Sequence, residues 1–242
     1  MATAAISIEG LNKRYGSNAV LKDVSLAVST GEFFGLVGVN GAGKTTLMKC
    51  LLDFARANSG AIAIFGAPHT EPRSRAGLAF LPEKFTPPYY LGGDDFLRYM
   101  AELYGISLQP AQIDALLPVL DLEAGALRKP VRQLSKGMAQ KLGILACLLS
   151  GRNLLVMDEP MSGLDPKVRA RLKRHLLELK SAGRTMFFST HLLPDAEALC
   201  DRVAILHAGR VRFTGTPAQC CQQFGSADFE QAYLRCVEES AT

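Results

Sequence analysis

The chain has 242 residues, of which 48% are hydrophobic and 21% are charged, and its formal net charge is +4. This length is sufficient for one large domain or for two small lobes around a shared core. A charge this mild, without a concentrated basic stripe, argues against a nucleic-acid binder. Charges or prolines interrupt every hydrophobic run before the roughly 20 residues that a membrane helix needs. The start of the chain has neither a basic leader nor a long apolar segment, so we expect a cytoplasmic protein.

The chain begins with β-rich stretches, in order AISIEG, VSLAV and GEFFGLVG, and the last of them leads into a glycine-rich loop. Further short apolar runs alternate with helix-like segments along the rest of the chain. This alternation predicts an α/β fold with a largely parallel sheet. The apolar runs cover residues 61–64, 78–81, 154–157, 185–189 and 203–206.

Residues 93–150 have helical apolar spacing and little strand signal, which predicts an inserted helical lobe. The pattern around Gly209 predicts a hairpin, followed by a final amphipathic helix. We therefore expect one domain whose core consists of residues 1–92 and 151–220. The final helix is expected within residues 221–242.

The cysteines are scattered and form no C-x-x-C pair, so we interpret them as reduced core residues or incidental surface thiols. The adjacent Cys220 and Cys221 could form a metal or redox site, but a structural role is favoured because no further ligands accompany them. The six positions are Cys50, Cys147, Cys200, Cys220, Cys221 and Cys236.

The glycine-rich loop fits the pattern G-x-x-x-x-G-K-S/T with Gly38, Gly43, Lys44 and Thr45. Glycines let the backbone curl so that successive N–H groups point at phosphate oxygens, and the following helix adds its positive end. Lys44 would meet the β and γ phosphates, and the Thr45 hydroxyl would meet Mg²⁺. A glycine turn with a chance lysine is disfavoured, because a strand precedes the loop and a helix follows it.

The stretch NLLVMDEP predicts an apolar strand that brings Asp158 to the carboxyl edge of the sheet, with Glu159 directly after it. Asp158 can hold the shell of a Mg²⁺ ion, and Glu159 is our candidate general base. An acidic strand-end turn is the alternative, and it is weak beside the glycine-rich loop. In LSKGM, a Ser135 cap and the bare backbone of Gly137 suggest a second anion-binding surface; in isolation an ordinary helix cap would be favoured, but the position upstream of the carboxylate strand favours anion binding.

Taken together, the ordered motifs GVNGAGKTT, LSKGM, LLVMDEP, SGLD and STH resemble the ATPase domain of ABC transporters over nearly the whole chain. The resemblance implies a P-loop NTPase core with a mostly parallel sheet, an N-terminal antiparallel β subdomain and an inserted α-helical lobe. It implies ATP and Mg²⁺ as cofactors, and it adds Asn40, Gly41 and Thr46 to the nucleotide-binding residues.

The resemblance also implies roles at a dimer interface. Two copies face each other head to tail, so Ser135 and Gly137 would reach the nucleotide held by the other copy of the phosphate loop. His191 resembles the switch histidine that contacts the γ-phosphate, and Asp165 resembles the residue that couples the two sites. Tyr15 lies where the family usually places an aromatic ring against adenine, and a tyrosine in an early turn is the less favoured alternative.

The sequence departs from the family pattern at two points. The common signature is LSGGQ, whereas this chain has Lys136 and Met138 in place of the first glycine and the glutamine. Most members have a glutamine where this chain has Glu83, whose carboxylate is expected to bind Mg²⁺ or orient water beside Asp158 and Glu159. Both features resemble bacterial export ATPases that pair with ABC-2-type permeases.

The resemblance implies an ATP-driven subunit held at the cytoplasmic face of the inner membrane by a separate permease, with no nucleic-acid partner. The competing class is a soluble ABC ATPase of DNA repair, translation or cluster assembly. Residues 83–90 either dock a permease or pack on their own lobe. The basic run at residues 166–180 offers a surface for nucleic acid or anionic lipid, but its apolar spacing favours a solvated helix face.

Overall fold

The computed structural model describes residues 4–238, which form two β-sheets and nine α-helices. The strands are β1 (Ala4–Tyr15), β2 (Asn18–Ser29), β3 (Phe33–Val37), β4 (Ser59–Ile64), β5 (Ala67–Pro68), β6 (Leu78–Leu81), β7 (Leu154–Asp158), β8 (Thr185–Thr190), β9 (Arg202–His207) and β10 (Arg210–Gly215). The helices are α1 (Lys44–Leu51), α2 (Gly93–Tyr104), α3 (Pro110–Leu120), α4 (Ala124–Leu127), α5 (Lys136–Leu149), α6 (Pro166–Ser181), α7 (Leu193–Leu199), α8 (Pro217–Gln223) and α9 (Phe229–Glu238).

The larger sheet has six strands in the order β10-β9-β3-β8-β7-β6. All neighbouring pairs are parallel except β9 and β10, which form an antiparallel hairpin. Side chains alternate between two buried faces: in β7, Leu154 and Val156 belong to one hydrophobic core, and Leu155 and Met157 belong to the other. Burial on both faces explains why these strands are continuous apolar runs. The predicted α/β fold with a largely parallel sheet is confirmed.

The smaller sheet is antiparallel and has the order β2-β1-β4-β5. Together with α1 it covers one face of the larger sheet. Their shared core contains Ile8 and Val24 from the smaller sheet, Leu47 from α1 and Phe187 from β8. This arrangement is the N-terminal antiparallel subdomain that the family resemblance implies.

Helices α2 to α5 form a lobe within residues 93–150, as the helical spacing predicts. Helix α5 packs on α2 and α3. The core of the lobe includes Phe96, Leu117 and Leu145, and it is continuous with Phe188 of β8. Phe188 and Phe187 are neighbours in β8 and belong to different cores, so the lobe and the smaller sheet cover opposite faces of the larger sheet.

The structure has a helix within residues 221–242, namely α9, and it adds a shorter helix, α8, that the sequence pattern did not predict. After the β9–β10 hairpin come α8 and α9, and residues 239–242 lie outside the described part of the chain. Helix α8 begins early because Thr216 and Gln219 form a capping box, in which each side chain accepts the other residue's N–H at 3.0 and 2.8 Å. A break follows at Gly225, whose φ of 58° is left-handed.

The turn between β9 and β10 connects the two sheets to the phosphate loop. The Gly209 N–H donates to the Ala42 carbonyl of the loop at 3.2 Å, and the Gly209 carbonyl accepts the Lys22 N–H of β2 at 2.8 Å. Gly209 has a φ of 79°, and a Cβ atom there would lie 2.3 Å from the Val20 carbonyl oxygen. A glycine is therefore required for this three-way contact.

All six cysteines are free thiols, and only Cys221 among them is not fully buried. Burial raises the pKa of the Cys147 thiol to about 12, so this thiol stays protonated at neutral pH. Within residues 4–238, the structure contains no helix with the length and apolar character needed to cross a bilayer.

Candidate functional site

A cavity of about 410 Å³ lies at the carboxyl edge of the parallel sheet, where β3 leads into α1. The structure brings most of the predicted nucleotide-binding residues together here, and it adds two valines that the sequence did not single out. The lining residues are Val20, Val39, Asn40, Gly41, Gly43, Lys44, Thr45, Thr46, Glu83 and Glu159.

Helix α1 begins in an unusual way. Its N-cap is Gly43, whose φ of 114° excludes most other residues. A Cβ atom on Gly43 would lie 2.9 Å from Leu21 Cδ2 and 3.1 Å from the Val20 carbonyl oxygen. No side chain of the described residues caps this helix, and its first turn contains no acidic residue. The backbone N–H groups at the positive end of α1 are therefore left without a side-chain cap from the described part of the chain, which suits phosphate.

Lys44 is buried with only 6% of its surface exposed, and its ammonium group is held from several sides. Its Nζ atom donates to the carbonyl oxygens of Gly38 at 2.6 Å and Val39 at 3.3 Å. It also lies 3.2 Å from Glu159 Oε1. That oxygen has no hydrogen-bond partner among the described residues, so the Lys44 contact is an ion pair without hydrogen-bond geometry. A buried carboxylate oxygen with a free lone pair fits a ligand that brings a donor, such as a water molecule.

The two acids after β7 are held by β8 and by the residue that follows it. The Ser189 hydroxyl donates to Asp158 Oδ1 and accepts the Glu159 N–H at 3.0 Å. Glu159 has a left-handed φ of 50°, and its Oε2 atom lies 2.9 Å from His191 Nδ1. The Glu159 carboxylate therefore stands between the Lys44 ammonium and the His191 ring.

The donor set at this edge fits a magnesium ion that arrives with phosphate. Among residues 4–238, no three histidine, cysteine or acidic side chains gather into a metal cluster. Mg²⁺ is usually bound by one or two carboxylates together with substrate phosphates and water, so a full protein cage is not required. Thr45 and Glu83 line the cavity, whereas Asp158 does not and lies 2% exposed beside Ser189.

A model of the ABC transporter family matches residues 21–162. The chain belongs to this family. It is 39% identical over 225 residues to an uncharacterized ABC transporter ATP-binding protein of Synechocystis, covering 91% of this chain and 62% of that relative. It is 35% identical to the Nod factor export ATP-binding protein I of Burkholderia orbicola, covering 90% and 72% of the two chains. A solved ATP-binding subunit of an ABC transporter is 34% identical and superposes with a TM-score of 0.87, over 96% and 99% of the two chains.

Three of the residues that resemble ABC interface residues lie outside the cavity. Ser135 is exposed and caps α5, its hydroxyl accepting the Met138 N–H at 3.2 Å. Gly137 follows in the first turn of α5 and lines a second cleft of about 450 Å³, which Glu83 also lines. Asp165 is exposed and caps α6, where the Val168 N–H bonds its carboxylate at 3.0 Å.

That hydrogen bond, assisted by the charge of Lys141, holds the pKa of Asp165 below its usual value. The carboxylate therefore stays ionised at neutral pH.

Tyr15 is also outside the cavity lining, at the end of β1, with half of its surface exposed. The Lys13 ammonium lies over the Tyr15 ring, 4.6 Å from the ring centroid.

The basic run on α6 is largely neutralised within the fold. Lys173 contacts Asp195 at 2.6 Å, and Arg169 reaches the same carboxylate at 4.0 Å. Arg171 contacts Asp121 at 2.9 Å. A helix whose cations are engaged in this way does not present the concentrated basic stripe that nucleic acid selects.

Two functional features were missed by the sequence reasoning. Val20 lies on β2 and reaches the cavity only because the smaller sheet packs beside the phosphate loop, and no local signal marks it. Ser189 is the first residue of STH and lies one residue before the end of an apolar strand, but the sequence prediction used only the histidine of that motif. A fully buried hydroxyl needs a hydrogen-bond partner, and the structure places this one against the acids of the neighbouring strand.

Proposed function

We propose that this chain is the ATP-binding and ATP-hydrolysing subunit of a transporter whose permease is a separate membrane protein. The observation that carries the proposal is the Glu159 carboxylate, buried at the phosphate loop between Lys44 and His191. A buried carboxylate beside a ready-made phosphate site is the arrangement that a general base for attack on a phosphate requires. The names of the relatives support the transport role.

Nucleotide binding would use the open end of α1. The backbone N–H groups of residues 43–46 and the Lys44 ammonium would hold the β and γ phosphates, and Tyr15 would stack on adenine. Thr45, Asp158 and Glu83 would hold Mg²⁺, which neutralises charge on the phosphate oxygens when it is bound.

Phosphate binding would also release the catalytic base. In the free protein the Lys44 Nζ atom lies 3.2 Å from Glu159 Oε1. Phosphate oxygens compete for the same ammonium, and charge-assisted hydrogen bonds to phosphate are strong. Glu159 would then be free to accept the proton of the attacking water, while His191 keeps the carboxylate oriented through its 2.9 Å contact and meets the γ-phosphate.

A second copy of the chain would complete each site in a head-to-tail homodimer. Ser135, Gly137 and Asp165 are outside the cavity of their own copy, which leaves them available to a partner. The Ser135 hydroxyl uses a lone pair to accept the Met138 N–H, so its proton remains available for a phosphate oxygen.

We propose that the permease holds the subunit at the cytoplasmic face of the inner membrane and that residues 83–90 contribute to its docking. Tyr89 and Tyr90 are 68% and 72% exposed and form an edge-to-face pair with centroids 5.5 Å apart. Export as the direction, and an ABC-2-type permease as the partner, rest on the Nod factor export relatives and on LSKGM and Glu83. A soluble ABC ATPase acting on nucleic acid is the second candidate, and the paired cations of α6 count against it.

Replacing the base tests the catalytic part of the proposal. In Glu159→Gln, we expect ATP turnover to fall by a factor of roughly 100 or more, in line with the usual contribution of a general base. ATP affinity is expected to persist, because Lys44 and the loop amides are intact. Glu197→Gln changes an exposed glutamate on α7 and serves as the matched control. Unchanged turnover in Glu159→Gln would remove Glu159 as the base.

Isolating the partner tests the transport part. The tagged chain would be expressed at its native level and recovered from membranes in mild detergent. Co-purification with one integral membrane protein is the expected result, and that protein would point to the transported substrate. Recovery only from the soluble fraction with nucleic acid or ribosomal proteins would favour the second candidate.

A further inference from the structure

Ser189 occupies an unusual position in the site. It lies one residue before the end of β8, none of its surface is exposed, and its backbone pairs in parallel register with Asp158. Its hydroxyl donates to Asp158 Oδ1 and accepts the Glu159 N–H at 3.0 Å. A serine hydroxyl has a single proton, so this proton is committed to Asp158 while a lone pair holds Glu159.

These bonds act on a strained residue. Glu159 has a φ of 50°, a left-handed conformation that residues other than glycine adopt only when their surroundings enforce it. It directly follows β7. Its N–H is bonded by the Ser189 hydroxyl, and its carbonyl accepts the Ser162 N–H at 3.1 Å. The Ser189 bond therefore holds one side of the turn that directs the Glu159 carboxylate toward Lys44 and His191.

Strand β8, which carries Ser189, also positions His191. His191 comes immediately after β8, two residues beyond Ser189. The Ser189 hydroxyl therefore links Asp158 and Glu159, at the end of β7, to β8, which leads into His191. Their mutual geometry is then held by the backbone pairing of β7 with β8, by the direct contact of Glu159 with His191 and by this buried hydroxyl.

We propose that Ser189 is a positioning residue for ATP hydrolysis, which holds the Glu159 carboxylate in the orientation needed to accept a proton from the attacking water. The inference rests on the proposed function, because it assigns Glu159 as the base. Ser189 does not line the cavity, and it reaches the site only through its bonds to Asp158 and to the Glu159 N–H. Its loss should therefore lower kcat while leaving ATP binding nearly unchanged.

The test compares Ser189→Ala with Ser150→Ala in the full-length chain. Ser150 is also buried, donates to the Cys147 carbonyl at 2.5 Å and accepts the Arg152 N–H at 3.2 Å, but it lies at the end of α5. For Ser189→Ala we expect kcat to fall by roughly 10- to 100-fold, the scale of a misplaced catalytic group, with the Kd for ATP changed less than about 3-fold. Ser150→Ala should leave both values near those of the unsubstituted chain.

A conservative variant separates positioning from packing. Ser189→Thr keeps a hydroxyl in a strand that accepts β-branched residues and should recover most of the lost kcat. If Thr is too large for the buried position, Ser189→Cys is the second choice, since a weakly bonding thiol should give a rate between those of serine and alanine.

The outcomes separate the inference from the proposed function. An unsubstituted chain that binds ATP but does not hydrolyse it would overturn both. Normal hydrolysis by the unsubstituted chain, with Ser189→Ala within 2-fold of its kcat, would overturn the positioning role alone. A fall in kcat matched by an equal loss of ATP affinity, or by an equal fall in Ser150→Ala, would show a general packing defect and would also overturn it.

Discussion

Helices α1 and α5 both begin with a lysine, but their first turns are organised in opposite ways. Helix α1 follows Gly43, which offers no side-chain cap, and its Lys44 is buried against carbonyl oxygens and Glu159. Helix α5 follows Ser135, whose hydroxyl accepts the Met138 N–H, and its Lys136 is exposed.

The difference shows how one structural element can serve an anion in two ways. Within residues 4–238, no side chain caps the N-terminus of α1, so its first backbone N–H groups remain for an anionic ligand. Helix α5 is already capped in the free protein, and only the proton of its capping hydroxyl remains for a ligand. We therefore expect nucleotide to depend on the first site for binding and on the second for turnover in a dimer.

The largest effect is expected from adding a methyl group at the start of α1. In Gly43→Ala, the new Cβ would meet Leu21 and Val20 in a conformation that alanine avoids, so unfolding free energy should fall by about 3 kcal/mol. Gly137→Ala is the matched change in α5, where the nearest atom to a new Cβ is 3.8 Å away. Its stability should change by less than about 1 kcal/mol, toward greater stability. Urea unfolding measures both, and equal losses would contradict the comparison.

The two lysines provide the next test. Lys44→Ala removes the buried ammonium from the phosphate cavity, and we expect the Kd for ATP to rise roughly 10- to 100-fold, the scale of lost charge-assisted bonds. Lys136→Ala removes an exposed ammonium from α5 and should change the Kd of the monomer by less than about 2-fold. Binding of a fluorescent nucleotide reports both values. A normal affinity in Lys44→Ala would disprove the phosphate-binding role of the loop.

The smallest effect is expected at the α5 cap. Ser135→Ala should lower the unfolding free energy by about 1 kcal/mol, the usual contribution of an N-cap. Ser135→Asp keeps an acceptor for the Met138 N–H and should retain stability, but it has no proton for a phosphate oxygen and adds negative charge. ATP turnover should therefore fall in Ser135→Asp although its melting temperature does not. Full turnover in this variant would show that the Ser135 hydroxyl is not used on nucleotide.

Some parts of this molecule were readable from sequence because their causes are local. The strands of the larger sheet are apolar on both faces, so they stand out as short continuous runs, and the phosphate loop has a fixed spacing between them. The start of α8 also has a local signal, since Thr216, Pro217 and Gln219 form a helix-start pattern, but the prediction assigned no helix there.

Other parts depend on contacts between distant segments. Val20 reaches the cavity, and Ser189 reaches both acids, only after the sheets have assembled. Neither contact follows from residue type or spacing. The roles of all the predicted site residues stay predictions, and Tyr15, Ser135, Gly137 and Asp165 also lie outside the cavity lining.

The turn at Gly209 has a consequence for how the protein is made. The phosphate loop is synthesised early, yet β3 lies between β8 and β9, and the loop carbonyl of Ala42 is held by the Gly209 N–H. Contacts this distant in sequence form slowly, and the ribosome adds only about 5–20 residues per second. A nascent chain is therefore expected to carry a complete phosphate-loop sequence for many seconds without a nucleotide site. The chain would then become able to bind ATP only after β9 and β10 have docked.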